Sequence, residues 1–166
     1  MTVWLSFVVA ALLAGNADPQ VFAPKGAGFR ITVPAQPEKT EQTIKTPQGS
    51  IEIRFFTVSA KEGTYVVGVT EHPEAAVPPG QDQGRLDQAR DGAVATAKGR
   101  LRWEKKRTIE GRPAREFFVA TETGHAVKIR LIADRNRLYQ VMVVGSTRFL
   151  DSPEAIAFLD SFRLAK

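Results

Sequence analysis

The sequence reads as an α+β domain: an antiparallel β-sheet of about seven to eight strands, with a central helix and a C-terminal helix packed on it. Three features carry this reading. Four alternating apolar segments follow one another over 101–145 with only short polar links, which is the pattern of an antiparallel meander. One alanine-rich segment at helical spacing interrupts the strands. A second helical segment, with its own start signal, closes the chain. The 166 residues suffice for one domain with a single core, and 43% hydrophobic against 25% charged residues excludes a disordered chain.

The apolar run at 3–13, broken only by Ser6, has the length of a signal-peptide core and is shorter than the roughly 20 residues a spanning helix needs. Small residues follow, and Gly15 and Ala17 suit a cut before Asp18, with a cut after Gly15 as the alternative. The segment 1–17 is therefore expected to be a cleaved signal, which makes the protein exported, periplasmic or extracellular, without a transmembrane span in its mature form. The n-region lacks the usual lysine or arginine, and the competing reading is an apolar segment of the domain itself. "LLAGN" resembles a lipobox, but Asn16 stands in place of the cysteine, so lipidation there is excluded. With no cysteine in the chain, disulfides, thiolate metal sites and cysteine nucleophiles are excluded too.

Residues 18–27 read as a linker, and the single domain occupies 28–166. "GFRITVP" (28–34) alternates and stops at a proline, so a strand is expected. Strands at 40–45 and 50–59 flank the turn "TPQG", and 64–70 is rich in β-branched residues. The proline-rich segment 71–84 is expected to be a loop. A helix follows over 85–98, with Leu86, Ala89, Ala93 and Ala97 on one face and Gly99 as its stop signal. Strands come next at 101–109, 112–121, 125–133 and 137–145. Ser152, followed by Pro153 and Glu154, marks a helix start, and Ala155, Ile156, Leu159 and Phe162 form that helix's apolar face.

Recognisable chemistry is sparse. Ser146 in "VVGST" lacks the second glycine of a nucleophile elbow, and "KGAGFR" carries Ile31 where a dinucleotide loop needs its third glycine. His72 lies between Glu71 and Glu74, a weak metal hint against the plainer reading of a solvated loop. No catalytic, cofactor-binding or metal-binding residue is assigned, no cofactor is expected, and an enzyme is not expected.

Charge is more informative. Residues 98–115 hold Lys98, Arg100, Arg102, Lys105, Lys106, Arg107, Arg112 and Arg115 against Glu104 and Glu110, a local charge of +6 in a chain of net +5. Strict alternation puts Arg100, Arg102 and Lys106 on one face and Leu101 and Trp103 on the other, with Trp103 in the core. Arg100, Arg102, Lys106 and Arg115 are therefore the candidate binders of an anionic ligand, either an acidic polymer or lipid headgroups. The alternative is a solvated outer face neutralised by neighbouring strands. Nucleic acid is the weaker partner for an exported protein. Arg115 and Glu116, adjacent on a strand, point to opposite faces. One of them turns inward, or the two form an ordinary surface pair.

"GFRITVP", the helix "GRLDQARDGAVATAKG", "RLYQVMVVG" and "FLDSFRL" together resemble the PsbP-like fold family, which includes small exported bacterial proteins of unknown function. The likeness covers residues 22–164. It implies an antiparallel sheet with helices on its faces, no catalytic machinery, and a noncatalytic accessory or binding role toward a protein or envelope component. The tryptophan usual shortly after the first proline is missing, and no functional residue transfers.

Overall fold

A computed structural model describes residues 18–165, so the expected signal segment 1–17 lies outside the described residues. In chain order the strands are β1 (Gln20–Phe22), β2 (Phe29–Val33), β3 (Glu38–Thr46), β4 (Gly49–Ser59), β5 (Gly63–Glu71), β6 (Gly99–Ile109), β7 (Arg112–Thr121), β8 (Ala126–Asp134), β9 (Arg137–Gly145) and β10 (Arg163–Leu164). The helices are α1 (Asp82–Thr96), α2 (Thr147–Leu150) and α3 (Pro153–Ser161). Seven strands form one antiparallel sheet in the order β3-β4-β5-β9-β8-β7-β6, and β1, β2 and β10 form a small second sheet. α1 carries the chain from β5 to the far edge, and the meander β6 to β9 then returns until β9 pairs with β5.

The local chemistry explains most of these elements. β9 sends Tyr139, Val141 and Val143 to one face and Leu138, Met142 and Val144 to the other, so this central strand is apolar on both sides. The β6–β7 hairpin closes through Glu110 and Gly111, both at positive φ (49° and 79°), the geometry of a two-residue type I′ turn. Ser152 Oγ accepts from the Ala155 N–H at 3.2 Å and caps α3, as expected.

Four expectations change. The linker over 18–27 contains β1, whose Phe22 packs edge-on against Phe56 with ring centroids 5.2 Å apart, and Ala27 is fully buried. The strand opening at Phe29 belongs to the small sheet, not the main one. α1 starts at Asp82, inside the expected loop, and the left-handed turn after it falls on Lys98 (φ 47°), while Gly99 begins β6. Ser146, read as part of a broken elbow, caps the unforeseen helix α2 by accepting from the Phe149 N–H at 3.2 Å.

The two faces of the main sheet are covered differently. α3 and the small sheet cover one with an aromatic cluster: Phe29 stacks on Phe162 at 5.7 Å, and Tyr65 meets Phe158 at 5.0 Å. The other face carries α1 over β6, β7 and β8, with Leu86, Ala89, Ala93, Val94 and Ala97 on Phe117, Val119, Ile129 and Leu131. Small helix side chains let α1 approach the sheet closely.

A basic edge and a candidate binding groove

The expected basic strip is rearranged by a β-bulge. Leu101 pairs with Val119 and Trp103 with Phe118, leaving Arg102 as the extra residue. The bulge reverses the alternation beyond it. Arg100, Trp103, Lys105 and Arg107 now share the α3 side, and Leu101, Glu104 and Lys106 share the α1 side. Trp103 is half-buried and stacks on Phe118 at 6.1 Å with Lys105 Nζ 5.4 Å from its ring centroid, so it is a rim residue, not a core one. Arg100, Arg102, Lys105 and Lys106 are exposed along a sheet edge, where charge also discourages edge-to-edge pairing with another chain.

Arg115 leaves the strip altogether. It is 4% exposed on the α1 side, paired with Glu104 and with Asp87 at 2.6 Å, and donates to Gln83 Oε1 at 3.0 Å. Its neighbour Glu116 is 6% exposed on the opposite side and accepts from Arg130 Nε at 2.5 Å and Arg107 Nη2 at 3.2 Å. Burial pushes the Glu116 carboxyl up, but the bonds and charges of Arg130 and Arg107 outweigh it and hold the group below its ordinary range. Both residues of the pair turn inward: Arg115 ties the sheet to α1 directly, and Glu116 holds Arg130, which reaches the Leu159 carbonyl and Asp160 of α3. Arg90 extends the α1 side by donating to Glu104 at 2.9 Å.

On its open side α1 leaves a groove of about 650 Å³. Its floor comes from Phe55 of β4, Thr70 of β5, Ile129 of β8, and Leu138, Met142 and Val144 of β9. α1 supplies its wall through Arg85, Ala89, Gly92, Ala93 and Ala97. The volume lies within the range of small-molecule sites, and the lining is mainly apolar. Two glycines shape it. A Cβ on Gly68 would lie 2.9 Å from Phe55 Cε1, so this glycine lets the ring lie across β5. A Cβ on Gly92 would meet no atom within 4 Å, so packing does not demand glycine at this mid-helix position. Glycine there costs about 0.5–1 kcal/mol relative to alanine.

One end of the groove is polar. His72 and Arg85 line it, and His72 Nδ1 and Arg85 Nη2 are buried without a hydrogen-bond partner among the described residues. Such groups each cost about 1–3 kcal/mol unless something else satisfies them. Arg85 is held by the Arg135 carbonyl, which accepts from Nη1 at 2.6 Å, and by Asp82 at 3.5 Å. His72 is anchored through its backbone: its N–H donates to the Asn136 carbonyl and its own carbonyl accepts from Asn136 Nδ2, both at 2.9 Å. Burial first, and the Arg85 charge second, lower the His72 pKa below the usual imidazole value against the Asn136 bond. The sequence had marked His72 for its acidic neighbours, yet Glu71 pairs with Arg54 and Arg137, at 3.1 and 3.2 Å. Among the described residues, no group of three or more His, Asp and Glu side chains converges as a metal site. No helix among them is long and apolar enough to cross a membrane.

No family model matches the chain, and no curated protein sequence matches it. Solved structures do. The solution structure of cyanobacterial PsbP from Synechocystis sp. PCC 6803 superposes with a TM-score of 0.60 at 12% identity, covering 91% of this chain and 95% of that one. The fold is PsbP-like. A crystal structure of a protein of unknown function from Pseudomonas aeruginosa matches with a TM-score of 0.38 at 10% identity, over 80% of this chain and 85% of that one.

Proposed function

We propose that this is a noncatalytic, exported accessory or binding protein that takes an envelope component, or part of an envelope protein, into the groove beside α1. The observation carrying this reading is that groove: an apolar trough on a sheet face that α1 half covers, with Gly92 on its wall. The signal-like start at 1–17 supports export. The engagement of Ser146 as a helix cap and of Glu71 in ion pairs supports binding over catalysis.

Immobilised protein should capture an envelope component saturably, with competition by free protein, and Gly92→Phe, which fills the groove, should abolish capture. A hydrolytic activity removed by one point substitution would overturn the noncatalytic reading. Export has its own test: protein recovered from its own host should begin at Asp18 or Asn16, and an intact Met1 in the cytoplasm would overturn it.

A second reading, anionic-ligand binding at the β6 edge, is favoured by one observation. Arg100, Arg102, Lys105 and Lys106 are exposed in a row and have no ion pair among the described residues. Replacing Arg100, Arg102 and Lys106 by Glu should eliminate salt-sensitive binding to heparin or anionic vesicles. Unchanged binding would reject it. Arg115 is spent in its buried pairs and takes no part.

A further inference from the structure

We propose that the groove takes a single-chain amphiphile with an anionic head, its apolar chain along β9 and its head at Arg85 and His72. The inference rests on the groove being the binding site, and adds the chemical class of what binds. Three features of the groove converge on it.

The first is shape. The wall runs along α1 from Arg85 to Ala97, about 18 Å at the helical rise. An extended alkyl chain lies along a trough of that length. The second is polarity. The lining is mainly apolar along the length, with Leu138, Met142 and Val144 facing Ala89, Ala93 and Ala97; Gln140 and Thr96 are neutral polar groups within it, while the charged and ionisable lining groups, Arg85 and His72, stand together at one end. The third is the state of those two groups. Arg85 Nη2 and His72 Nδ1 are both buried and both without a partner among the described residues. Arg85 has one carboxylate near it, Asp82 at 3.5 Å, so its charge is weakly matched. With Arg85 Nη2 and His72 Nδ1 turned to face the groove, a carboxylate or phosphate monoester accepts from Nη2 and, with the tautomer carrying its proton on Nδ1, from His72 as well. A plain hydrocarbon leaves these donors unpaired, and a neutral hydroxyl or ester accepts from them without matching the Arg85 charge.

Gly92 fits the same account. The helix tolerates a poor helix former where a Cβ would touch nothing, and its position is on the groove wall.

Calorimetric titration of the purified full chain with dodecanoate, dodecyl phosphate and dodecanol, each below its aggregation concentration, tests the inference. At least one of the two anions should bind saturably at one per chain and at least 10-fold tighter than the alcohol; the tighter anion identifies the head. Arg85→Gln should bring the anions down to the affinity of dodecanol while leaving dodecanol within 3-fold, a result that also shows the groove intact. Gly92→Phe should abolish all three. Equal affinity for alcohol and anions, or anion binding untouched by Arg85→Gln, would overturn the anionic head. Amphiphile binding that survives Gly92→Phe would overturn the site. If none of the three binds but Gly92→Phe still abolishes capture of an envelope component, the ligand class fails and the groove stands. If capture also persists in that variant, both fail.

Discussion

The two faces of the main sheet solve the same covering problem with opposite materials. Toward α3 and the small sheet the contact is aromatic: Phe22, Phe29, Phe56, Tyr139 and Phe162 form one group of touching rings, and Tyr65, Phe149 and Phe158 a second within the same core. Toward α1 it is alanine, one fully buried leucine and an ion-pair lattice around Glu104, Asp87, Arg90 and Arg115. The first face packs large rings against one another, and its clefts lie at the rim, beside Tyr65, Phe149 and Pro153. The second packs small helix residues on Phe117, Val119, Ile129 and Leu131, and α1 covers only part of it, which leaves the groove. Large-residue packing is concentrated on one side of the sheet and small-residue packing on the other.

The difference predicts a graded series of effects. Phe29→Ala, at the centre of the aromatic cluster, should lower unfolding free energy by about 3–5 kcal/mol, measured by denaturant titration. Glu116→Gln should cost about 2–4 kcal/mol, because it strips Arg130 of its buried partner and leaves it only Asp160 and the Leu159 carbonyl. The same variant carries a pH signature. The folded state holds Glu116 below its ordinary pKa, so its contribution is present above the unfolded carboxylate range and is lost as pH falls through the folded value. Glu116→Gln should therefore flatten the acid limb of a stability-against-pH curve, and an unchanged limb would contradict the assignment. Arg115→Gln, the matching change on the α1 face, should cost less, about 1–2 kcal/mol. Asp87 is half-exposed and Glu104 keeps Arg90, so both carboxylates stay solvated or paired. A larger loss than for Glu116→Gln would invert the comparison.

Gly92→Ala should raise stability by about 0.5–1 kcal/mol, since the new methyl group meets nothing and the helix gains propensity. A fall in melting temperature would show that this glycine serves packing. Arg102→Glu, at the bulge of the exposed edge, should change stability by no more than about 0.5 kcal/mol.

The order of elements was legible because it depends on local pattern. The four meander strands, the alanine face of α1 and the Ser152 cap all declare themselves within a dozen residues. The bulge does not, because period-two alternation has no mark for one inserted residue, and Arg102 looks like its neighbours. β1 was hidden by length: three residues between Pro19 and Ala23-Pro24 carry no periodic signal. Arg115 read as surface because Asp87 and Gln83, which hold it, lie on another element 28 and 32 residues away. The groove was invisible for a related reason. Its lining comes from α1 and four strands, so no single segment of the sequence carries it.

The position of β9 between β5 and β8 bears on how the chain assembles. β3 to β5 form one meander and β6 to β8 another, and neither can join the other until Arg137–Gly145 arrives. A chain emerging from its N-terminus thus carries two unsealed edges, one of them the valine-rich "TYVVGVT", until its last long strand is delivered. Closing a sheet across so many residues is intrinsically slow. The interval before β9 docks is the time when this protein is most exposed to pairing with the wrong neighbour, and when a helper that shields the β5 edge would have its greatest effect on yield.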